Sequence, residues 1–239
     1  MTMKLDNILF LDIETVPLHP NYDALSEEAQ LLFDDKTSYQ RKEMSAADFY
    51  ERAGIWAEFG KIICLSVGYF TSLQSKPRQF RMTSFYGDEV ELLTNFSELL
   101  NTHFSRPYHR LCAHNGKEFD FPYIARRMMV HGLELPQALQ IAGKKPWEVP
   151  HLDTMELWKF GDYKNYTSLK LLTHTLNIPS PKTDIDGSQV AQVYYRDNNL
   201  ERIVSYCEQD VLAVAQIILR FARRPLLTDD EIAHVSAKE

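Results

Sequence analysis

One apolar segment near the start of the chain, ILFLDIETVPL at residues 8–18, contains two carboxylates separated by a single residue. Its run of Ile, Leu and Phe predicts a buried β-strand, in which residues two apart point to the same face. The Cα atoms of Asp12 and Glu14 would then lie about 6.6 Å apart, beside Ile8 and Phe10. Unpaired acids on a buried face repel each other and lose hydration, so we expect a positive charge to compensate them.

The composition is typical of one globular domain. With 239 residues, of which 44% are hydrophobic and 25% charged, the chain can bury a large core. No Ser/Gly-rich or charge-block linker marks a boundary, so residues 1–239 are predicted to form a single domain. The sequence shows no secretory signal and no uncharged apolar stretch long enough to span a bilayer. The expectation is a cytoplasmic protein without membrane contact.

The cysteines and the net charge indicate the cellular compartment and limit the kinds of nucleic-acid-binding protein that the chain can be. Cys64, Cys112 and Cys207 are widely spaced in apolar surroundings, which is typical of reduced core thiols in a cytoplasmic protein. The net charge of −7 is not the pattern of a protein that wraps duplex DNA. It does not exclude a nuclease, because acidic metal ligands themselves contribute negative charge.

The order of predicted elements indicates an α/β protein. Strands are predicted at 7–14, 61–70, 79–85 and 109–114, with a fifth short strand in the segment VPHLDT. Helices are predicted after the third strand, from about Phe121 to His131, and over most of the chain beyond VPHLDT, which favours a mixed sheet flanked by helices. The long connection at 18–60 has helical patterns and is interpreted as a helical insertion, either a lid or a packing element.

A late helix carries an acid in the middle of its apolar face. In the segment YCEQDVLAVAQIILRF and the residues just before it, positions three or four apart form one stripe: Ile203, Tyr206, Asp210, Val214, Ile217 and Phe221. A helix that simply packs on a sheet would have Leu at position 210. Tyr206 lies one turn before Asp210 on the same face of the helix, so its hydroxyl and the carboxylate of Asp210 can reach the same position.

Another acid follows the fourth strand, in the segment AHNGKEFDFPY. Asn115 and Gly116 are predicted to form a turn, which leaves Asp120 at the start of the next helix. Each acid also has an ordinary structural interpretation: Asp120 could cap its helix, Asp210 could pair with a cation, and the strand acids could face water. The same D-x-E spacing recurs at Asp229 and Glu231, in a segment interpreted as a solvated tail, so spacing alone is weak evidence.

The combination of these acids is more informative than any one of them. Four carboxylates, each at the end of a buried strand or within an apolar helix face, would form an oxygen-rich cage if they converge. Hard divalent cations such as Mg²⁺ or Mn²⁺ prefer such ligands. Two such ions about 3.5–4 Å apart can stabilise both the attacking and the leaving oxygen of a phosphodiester.

The three motifs, in this order along the chain, resemble a known superfamily. D-x-E in the first strand, N-x-x-x-F-D after a later strand and Y-x-x-x-D in a late helix are similar to the exonuclease motifs of the DEDD (DnaQ-like) 3′–5′ exonucleases, in their tyrosine variant. The local sequences around these motifs most resemble those of stand-alone exonucleases related to the proofreading domain of family B DNA polymerases. They are FLDIET, HNGKEFDFPY and YCEQDV. The resemblance covers the chain from Ile8 to about Phe221.

The resemblance implies a fold, a reaction and a set of ligands. The fold would be ribonuclease H-like, and Asp12, Glu14, Asp120 and Asp210 would hold two metal ions, Mg²⁺ or Mn²⁺, with Asp12 bridging them. Tyr206 would orient the attacking water. The implied activity is metal-dependent hydrolysis of phosphodiester bonds at the 3′ ends of nucleic acid, expected to be single-stranded DNA.

Further residues are candidates for substrate binding. Asn115 and Lys117 adjoin the second motif, although Asn115 could brace the turn and Lys117 could be solvated. The stretch at 143–170 interleaves aromatic residues with lysines, a pattern that suits stacking on single-stranded bases, so Trp147 and Tyr163 are candidates. Equally, these aromatic side chains could belong to the core. Lys182 follows in a predicted loop. His114 is interpreted as a core histidine, and Asp153 in HLDT as a structural hydrogen-bonding residue.

Two alternative functions stay open at this point. The same motifs occur in ribonuclease D-like enzymes, so the substrate could be RNA, because sensing of a 2′-hydroxyl depends on pocket shape. A non-catalytic nucleic-acid-binding module is the other alternative, against which the complete set of acids with Tyr206 argues.

Overall fold

The computed structural model describes residues 4–71, 78–162, 164, 166–179 and 185–235. Tyr163 and Lys182, two of the predicted substrate-binding residues, lie outside these ranges. A six-stranded sheet forms the centre of the described structure, with the order β5-β4-β1-β2-β3-β6. Its strands are β1 Ile8–Pro17, β2 Gly60–Phe70, β3 Phe80–Tyr86, β4 Arg110–Ala113, β5 Leu152–Asp153 and β6 Ile232–His234.

The sheet is mixed, as the sequence predicts. β1 pairs antiparallel with β2 and parallel with β4, while β3 pairs parallel with β6 and β4 parallel with β5. The first strand therefore lies inside the sheet with a partner on either side, which explains its nearly continuous apolar run. The α-helices are α1 Glu27–Arg41, α2 Ala46–Phe49, α3 Glu89–His103, α4 Asp120–Val130, α5 Thr154–Lys159, α6 Leu169–Thr175, α7 Val190–Tyr195 and α8 Leu200–Phe221.

The two faces of β1 contribute to different parts of the core. Leu9, Leu11 and Ile13 pack in the cluster that α3 and α4 cover. Ile8 and Phe10 pack in the cluster that α8 covers, and every one of these five side chains is buried. This alternation along the strand decides that residues 12 and 14 belong to the α8 side of the sheet.

The connection between β1 and β2 is helical, which confirms the predicted insertion. It contains α1, α2 and a 3₁₀-helix at Tyr50–Ile55. Ser26 caps α1 and Ser45 caps α2, each by accepting a hydrogen bond from a backbone N–H of the first turn. Phe33 packs its ring edge-on against neighbouring aromatic rings, so the insertion has a small core of its own: Tyr50, Trp56 and Phe59 are its partners.

The C-terminal segment differs from the prediction. Residues 229–231 form a 3₁₀ turn and lead into β6, which extends the sheet beside β3, so the segment is not simply a solvated tail. Glu231 receives two hydrogen bonds from Arg78, at 2.7 and 2.9 Å, and this guanidinium lowers the pKa of Glu231. A three-residue strand has no alternation long enough to predict from sequence. Within the described ranges, no helix has the length and apolar character to cross a bilayer.

Candidate active site

The two acids of β1 lie on the face of the sheet that α8 covers. Glu14 is buried, with 7% of its surface exposed, and Asp12 is half-buried. Across the sheet they face Ser66 and Cys64 of β2, and the register shifts directly after Glu14. Such a bulge bends a strand and re-aims its side chains. The predicted pair of acids therefore lies beside a local irregularity in the central strand.

Helix α8 brings the third motif to the same place. Its apolar stripe packs on the sheet through Ile203 and Val214, which are fully buried, and this places Asp210 over β1, whereas Ile217 packs against α6. The hydroxyl of Tyr206 donates a hydrogen bond to the Asp210 carboxylate. The predicted pairing of Tyr206 with Asp210 is confirmed, whereas the predicted stripe divides between the sheet and α6.

The second motif is positioned by a tight turn after β4. Asn115 adopts a left-handed conformation, with φ of 63°, which Asn tolerates better than most residues. A Cβ at Gly116 would lie 2.5 Å from the Cβ of Ala113, so a larger residue at 116 would force the turn apart. The chain then enters α4 at Asp120, which is buried and interacts with the backbone N–H of Ile13 in β1. Asp120 therefore points to the sheet, and the residue at the N-cap of α4 is Phe119.

The four acids influence one another's ionisation. Burial, followed by the charges of the other acids, raises the pKa of Asp12 and of Glu14 well above the usual range. Burial, with the neighbouring carboxylates Asp153 and Asp210, raises the pKa of Asp120 to about 7, even though backbone N–H groups oppose the shift. Burial raises the pKa of Asp210 to about 6, although the hydrogen bond from Tyr206 acts in the opposite direction.

No protein cation compensates these acids in the part of the chain that the structure describes. None of its Lys, Arg or His side chains forms an ion pair with Asp12, Glu14, Asp120 or Asp210. Glu14 is the clearest case, because its buried carboxylate also has no hydrogen-bond donor among the described residues. The donor set consists of carboxylate oxygens, which is the ligand type that Mg²⁺ and Mn²⁺ prefer. The residues present therefore fit a hard divalent cation.

A thiol joins the acids, which the sequence interpretation missed. The Sγ atom of Cys207 donates to the carbonyl oxygen of Asp12 at 3.3 Å and to its Oδ2 atom at 3.4 Å. Ligand atoms of Asp12, Glu14 and Cys207 lie within 4.8 Å of one another. Cys207 was predicted only as a core thiol, and it is indeed fully buried. Its place between Tyr206 and Asp210, on the same helical turn, is the sequence signal that could have identified it.

Asp153 and Lys117 have structural partners. Asp153 accepts hydrogen bonds from the backbone N–H groups of Asn115 and Lys117 at 3.0 and 3.1 Å and also caps α5, which confirms its predicted structural role. The ammonium of Lys117 lies 2.6 Å from Glu156, and only 11% of its side chain is exposed. Of the two interpretations of Lys117, the solvated one is therefore wrong, because this side chain is largely buried and its charge is already paired. The side-chain oxygen of Asn115 is buried with no hydrogen-bond partner among the described residues.

The aromatic stretch divides between core and surface. Trp158 stacks on Phe221 of α8, whereas Trp147 is largely exposed, with the ammonium of Lys145 lying 5.3 Å from its ring centre. Tyr166 is also exposed, and burial of its hydroxyl together with the charges of Glu118, Asp153 and Asp120 raises its pKa. Tyr166, which was not among the predicted site residues, therefore lies near the acids, while no described contact joins Trp147 to them.

His114 fixes the segment next to Tyr166. Its Nε2 atom lies 2.9 Å from the carbonyl oxygen of Thr167, which can only accept, so Nε2 carries the proton. The Nδ1 atom then accepts from the hydroxyl of Thr154 at 2.9 Å. Burial lowers the pKa of His114, in agreement with the predicted core histidine.

A cavity of about 470 Å³ lies away from the acids. It separates the helical insertion from α7 and is lined in part by Tyr22, Tyr50, Tyr195 and Arg196. None of the predicted site residues lines it. The acid cluster, rather than this cavity, combines the chemical groups that a hydrolytic reaction requires.

The family model of predicted 3′–5′ exonucleases related to the exonuclease domain of PolB matches residues 55–235. This range includes Asp120, Tyr206 and Asp210 and begins after the strand with Asp12 and Glu14.

Among solved structures, the family B DNA polymerase from the hyperthermophilic archaeon Pyrobaculum calidifontis matches with a TM-score of 0.55 and 13% sequence identity. The match covers 90% of this chain but only 24% of the polymerase, and it confirms the predicted ribonuclease H-like fold. The RNase domain of yeast Pop2 and a yeast NOT1 MIF4G structure with CAF1 match 95% of this chain and 81% and 84% of theirs. Both are 13% identical to this chain, with TM-scores of 0.40 and 0.42.

Proposed function

Because the chain belongs to the family of predicted 3′–5′ exonucleases related to the exonuclease domain of PolB, we propose that it removes nucleotides from the 3′ ends of single-stranded DNA. We further propose that Asp12, Glu14, Asp120 and Asp210 hold two divalent cations. The observation that carries this proposal is the burial of these four interacting acids with no compensating protein cation among the described residues.

The carboxylates would divide the metal binding between them. Asp12, whose ionisation responds to all three other acids, would hold a cation together with them. Mg²⁺ and Mn²⁺ are the proposed ions, because the four carboxylates supply only oxygen. When bound, such ions lower the pKa of water and stabilise the charge on the oxygens of the scissile phosphodiester. Coordination also offsets the cost of burying the acids in their charged form.

Tyr206 is proposed to orient the attacking water. Burial, followed by the negative charges of Asp210, Glu14 and Asp12, raises the pKa of its phenol, so the hydroxyl keeps its proton at neutral pH. A protonated phenol cannot act as a general base, but it can accept a hydrogen bond from water while it donates to Asp210. Its contribution is therefore positional.

Single-stranded DNA is the proposed substrate. The site is formed by a strand, a helix end and a helix face, and a frayed strand can reach it without the free-energy cost of melting a terminal base pair. Exposed aromatic rings such as Trp147 and Tyr166 offer stacking surfaces that accept any base. Asn115 is also proposed to bind substrate, whereas Lys117 would first have to leave Glu156. The family's relation to a DNA polymerase favours DNA over RNA.

We propose that residues 1–239 form a single exonuclease domain, because β1 lies inside the same sheet as the strands of the matched range. A cytoplasmic location is proposed from the three unpaired, buried cysteines.

The decisive experiment uses the purified protein with 5′-labelled and 3′-labelled DNA and RNA oligomers, in Mg²⁺, Mn²⁺ or EDTA. The proposal expects stepwise shortening of 5′-labelled single-stranded DNA, immediate release of a 3′ label, and no reaction in EDTA. Faster shortening of RNA than of DNA would favour the exoribonuclease alternative. Binding without cleavage in either metal would favour a non-catalytic module, and release of the 5′ label first would contradict the direction of attack.

A further inference from the structure

Cys207 gives the acid cluster a ligand type that a magnesium site does not need. Its Sγ atom lies 3.4 Å from Oδ2 of Asp12, and ligand atoms of Asp12, Glu14 and Cys207 lie within 4.8 Å of one another. On a tetrahedral zinc ion, a sulfur and an oxygen ligand are separated by about 3.5 Å, from bond lengths of about 2.3 and 2.0 Å. The thiol and the carboxylate therefore already have the separation of two ligands of one such ion.

Glu14 provides an independent indication that a cation binds beside Cys207 and Asp12. Its side chain is more than nine-tenths buried, and among the described residues it receives no hydrogen bond and no ion pair. A buried carboxylate without a partner is unfavourable unless something else neutralises it. Its oxygen lies in the same group as the Cys207 sulfur, so the unpaired charge is directed to the point that the thiol also reaches.

We propose that Asp12, Glu14 and Cys207 together bind a thiophilic divalent cation, Zn²⁺ or Cd²⁺, in place of the hard ion. Thiolate and carboxylate ligands suit zinc, whereas thiolate is a poor ligand for magnesium. As the metal–sulfur bond forms, the sulfur–hydrogen bond breaks and the proton passes to solvent, with no change of oxidation state. The inference rests on the proposed function in one respect: zinc bound there blocks the exonuclease by occupying a position that its hard cation requires.

Optical titration of the metal-free full chain with Cd²⁺ tests the proposal without nucleic acid. The wild-type protein is expected to develop a sulfur-to-cadmium charge-transfer band in the ultraviolet that saturates at one equivalent. Cys207→Ser should lose the band and bind Cd²⁺ at least tenfold more weakly. The matched control is Cys112→Ser, another fully buried thiol in a different core cluster, which should keep the band. A band that persists in Cys207→Ser, or one that disappears in Cys112→Ser, overturns the proposal.

X-ray absorption at the zinc edge is a second test. It uses only the wild-type protein, so its result does not depend on whether the Cys207→Ser variant folds. One sulfur at about 2.3 Å among oxygen ligands is expected, and a shell of nitrogen and oxygen alone overturns the proposal. The two proposals fail separately. Cleavage in Mg²⁺ without a cadmium band refutes this inference and leaves the exonuclease, whereas a cadmium band without cleavage in Mg²⁺ refutes the exonuclease and leaves the thiophilic site.

Discussion

One buried carboxylate, Glu89, and the four acids beside β1 have opposite electrostatic environments. Glu89, at the start of α3, receives hydrogen bonds from the backbone N–H of Ile62 at 2.7 Å and from Arg127 at 2.9 and 2.5 Å, and His131 lies 2.7 Å away. Burial raises the pKa of Glu89, but these partners more than offset it, so its pKa lies below the usual range. At the acid cluster of Asp12, Glu14, Asp120 and Asp210, no cation of the described residues opposes burial and hydrogen bonds offset it only in part, so every pKa is raised.

The difference separates a structural charge from a functional one. Arg127 also donates to the carbonyl oxygen of Ala57 at 2.9 Å, so the Glu89 pair joins α3 and α4 to the end of the helical insertion. A buried pair of this kind is complete within the protein. The acid cluster becomes complete only when a ligand brings positive charge, and strongly perturbed carboxylates of this type mark functional sites more often than structural ones.

The largest expected effect is on turnover at the acid cluster. Asp12→Asn should lower the rate of DNA cleavage on the order of 10⁴-fold or more, because metal ions stabilise the transition state by several kcal/mol. Its thermal midpoint without metal should equal or exceed that of the wild type, since one repelling charge is removed. Cleavage rates and melting curves check both statements. Asp229→Asn, in the other D-x-E segment, is the control that should change neither.

The opposite result is expected at the paired carboxylate. Glu89→Gln leaves the buried guanidinium of Arg127 without its counter-charge, and breaking a buried pair typically costs about 3–5 kcal/mol. Denaturant unfolding should show this loss of stability, while the cleavage rate per folded molecule stays near that of the wild type. An unchanged free energy of unfolding would mean that the pairing with Arg127 does not stabilise the fold, so that Glu89 would not differ from the unpaired acids in this respect.

A smaller effect is expected at Tyr206. Tyr206→Phe should lower the cleavage rate about 10²-fold, at the lower end of the range for acid–base and positioning groups. Metal affinity should be nearly unchanged, because the hydroxyl orients water and is not a ligand. Mn²⁺ titration beside single-turnover kinetics separates the two effects. Loss of Mn²⁺ binding in this variant would show that the hydroxyl helps to hold the metal.

The pH dependence of stability distinguishes a charged from a neutral Asp120. Its pKa of about 7 in the folded chain exceeds the ordinary 3.8, so its stabilising contribution is present at low pH and is lost as pH rises to about 7 and above. In EDTA, the thermal midpoint of Asp120→Asn should therefore exceed that of the wild type more at pH 8 than at pH 5. Groups that Asp120 does not influence are common to both proteins and cancel in the difference. Asp12 and Glu14 change it in the same direction, because removing the charge of Asp120 lowers their pKa values in the variant. A difference that shrinks with rising pH would contradict the raised pKa.

The sequence predicted the sheet, the insertion and the convergence of three motifs because each depends on local patterns. Hydrophobic periodicity identifies the strand at 8–18 and the helix face around Asp210, and turn-forming residues identify the turn before Asp120. Side-chain pairing is different, because partners such as Lys117 and Glu156 meet only after folding. Cys207 was missed for the same reason: its neighbour, the Asp12 carboxylate, lies 195 residues away in the chain.

The central claim is that the unpaired acids form a preformed site for divalent cations. The most direct measurement is the thermal midpoint of the chain at pH 8 with and without Mn²⁺. At a hundredfold excess over the dissociation constant, binding stabilises the folded state by about 2.7 kcal/mol, which corresponds to a rise of about 5–10 °C. Wild type and Asp229→Asn should show this rise, and Asp12→Asn should lose most of it. An unchanged midpoint in the wild type, or an equal rise in Asp12→Asn, would contradict the claim.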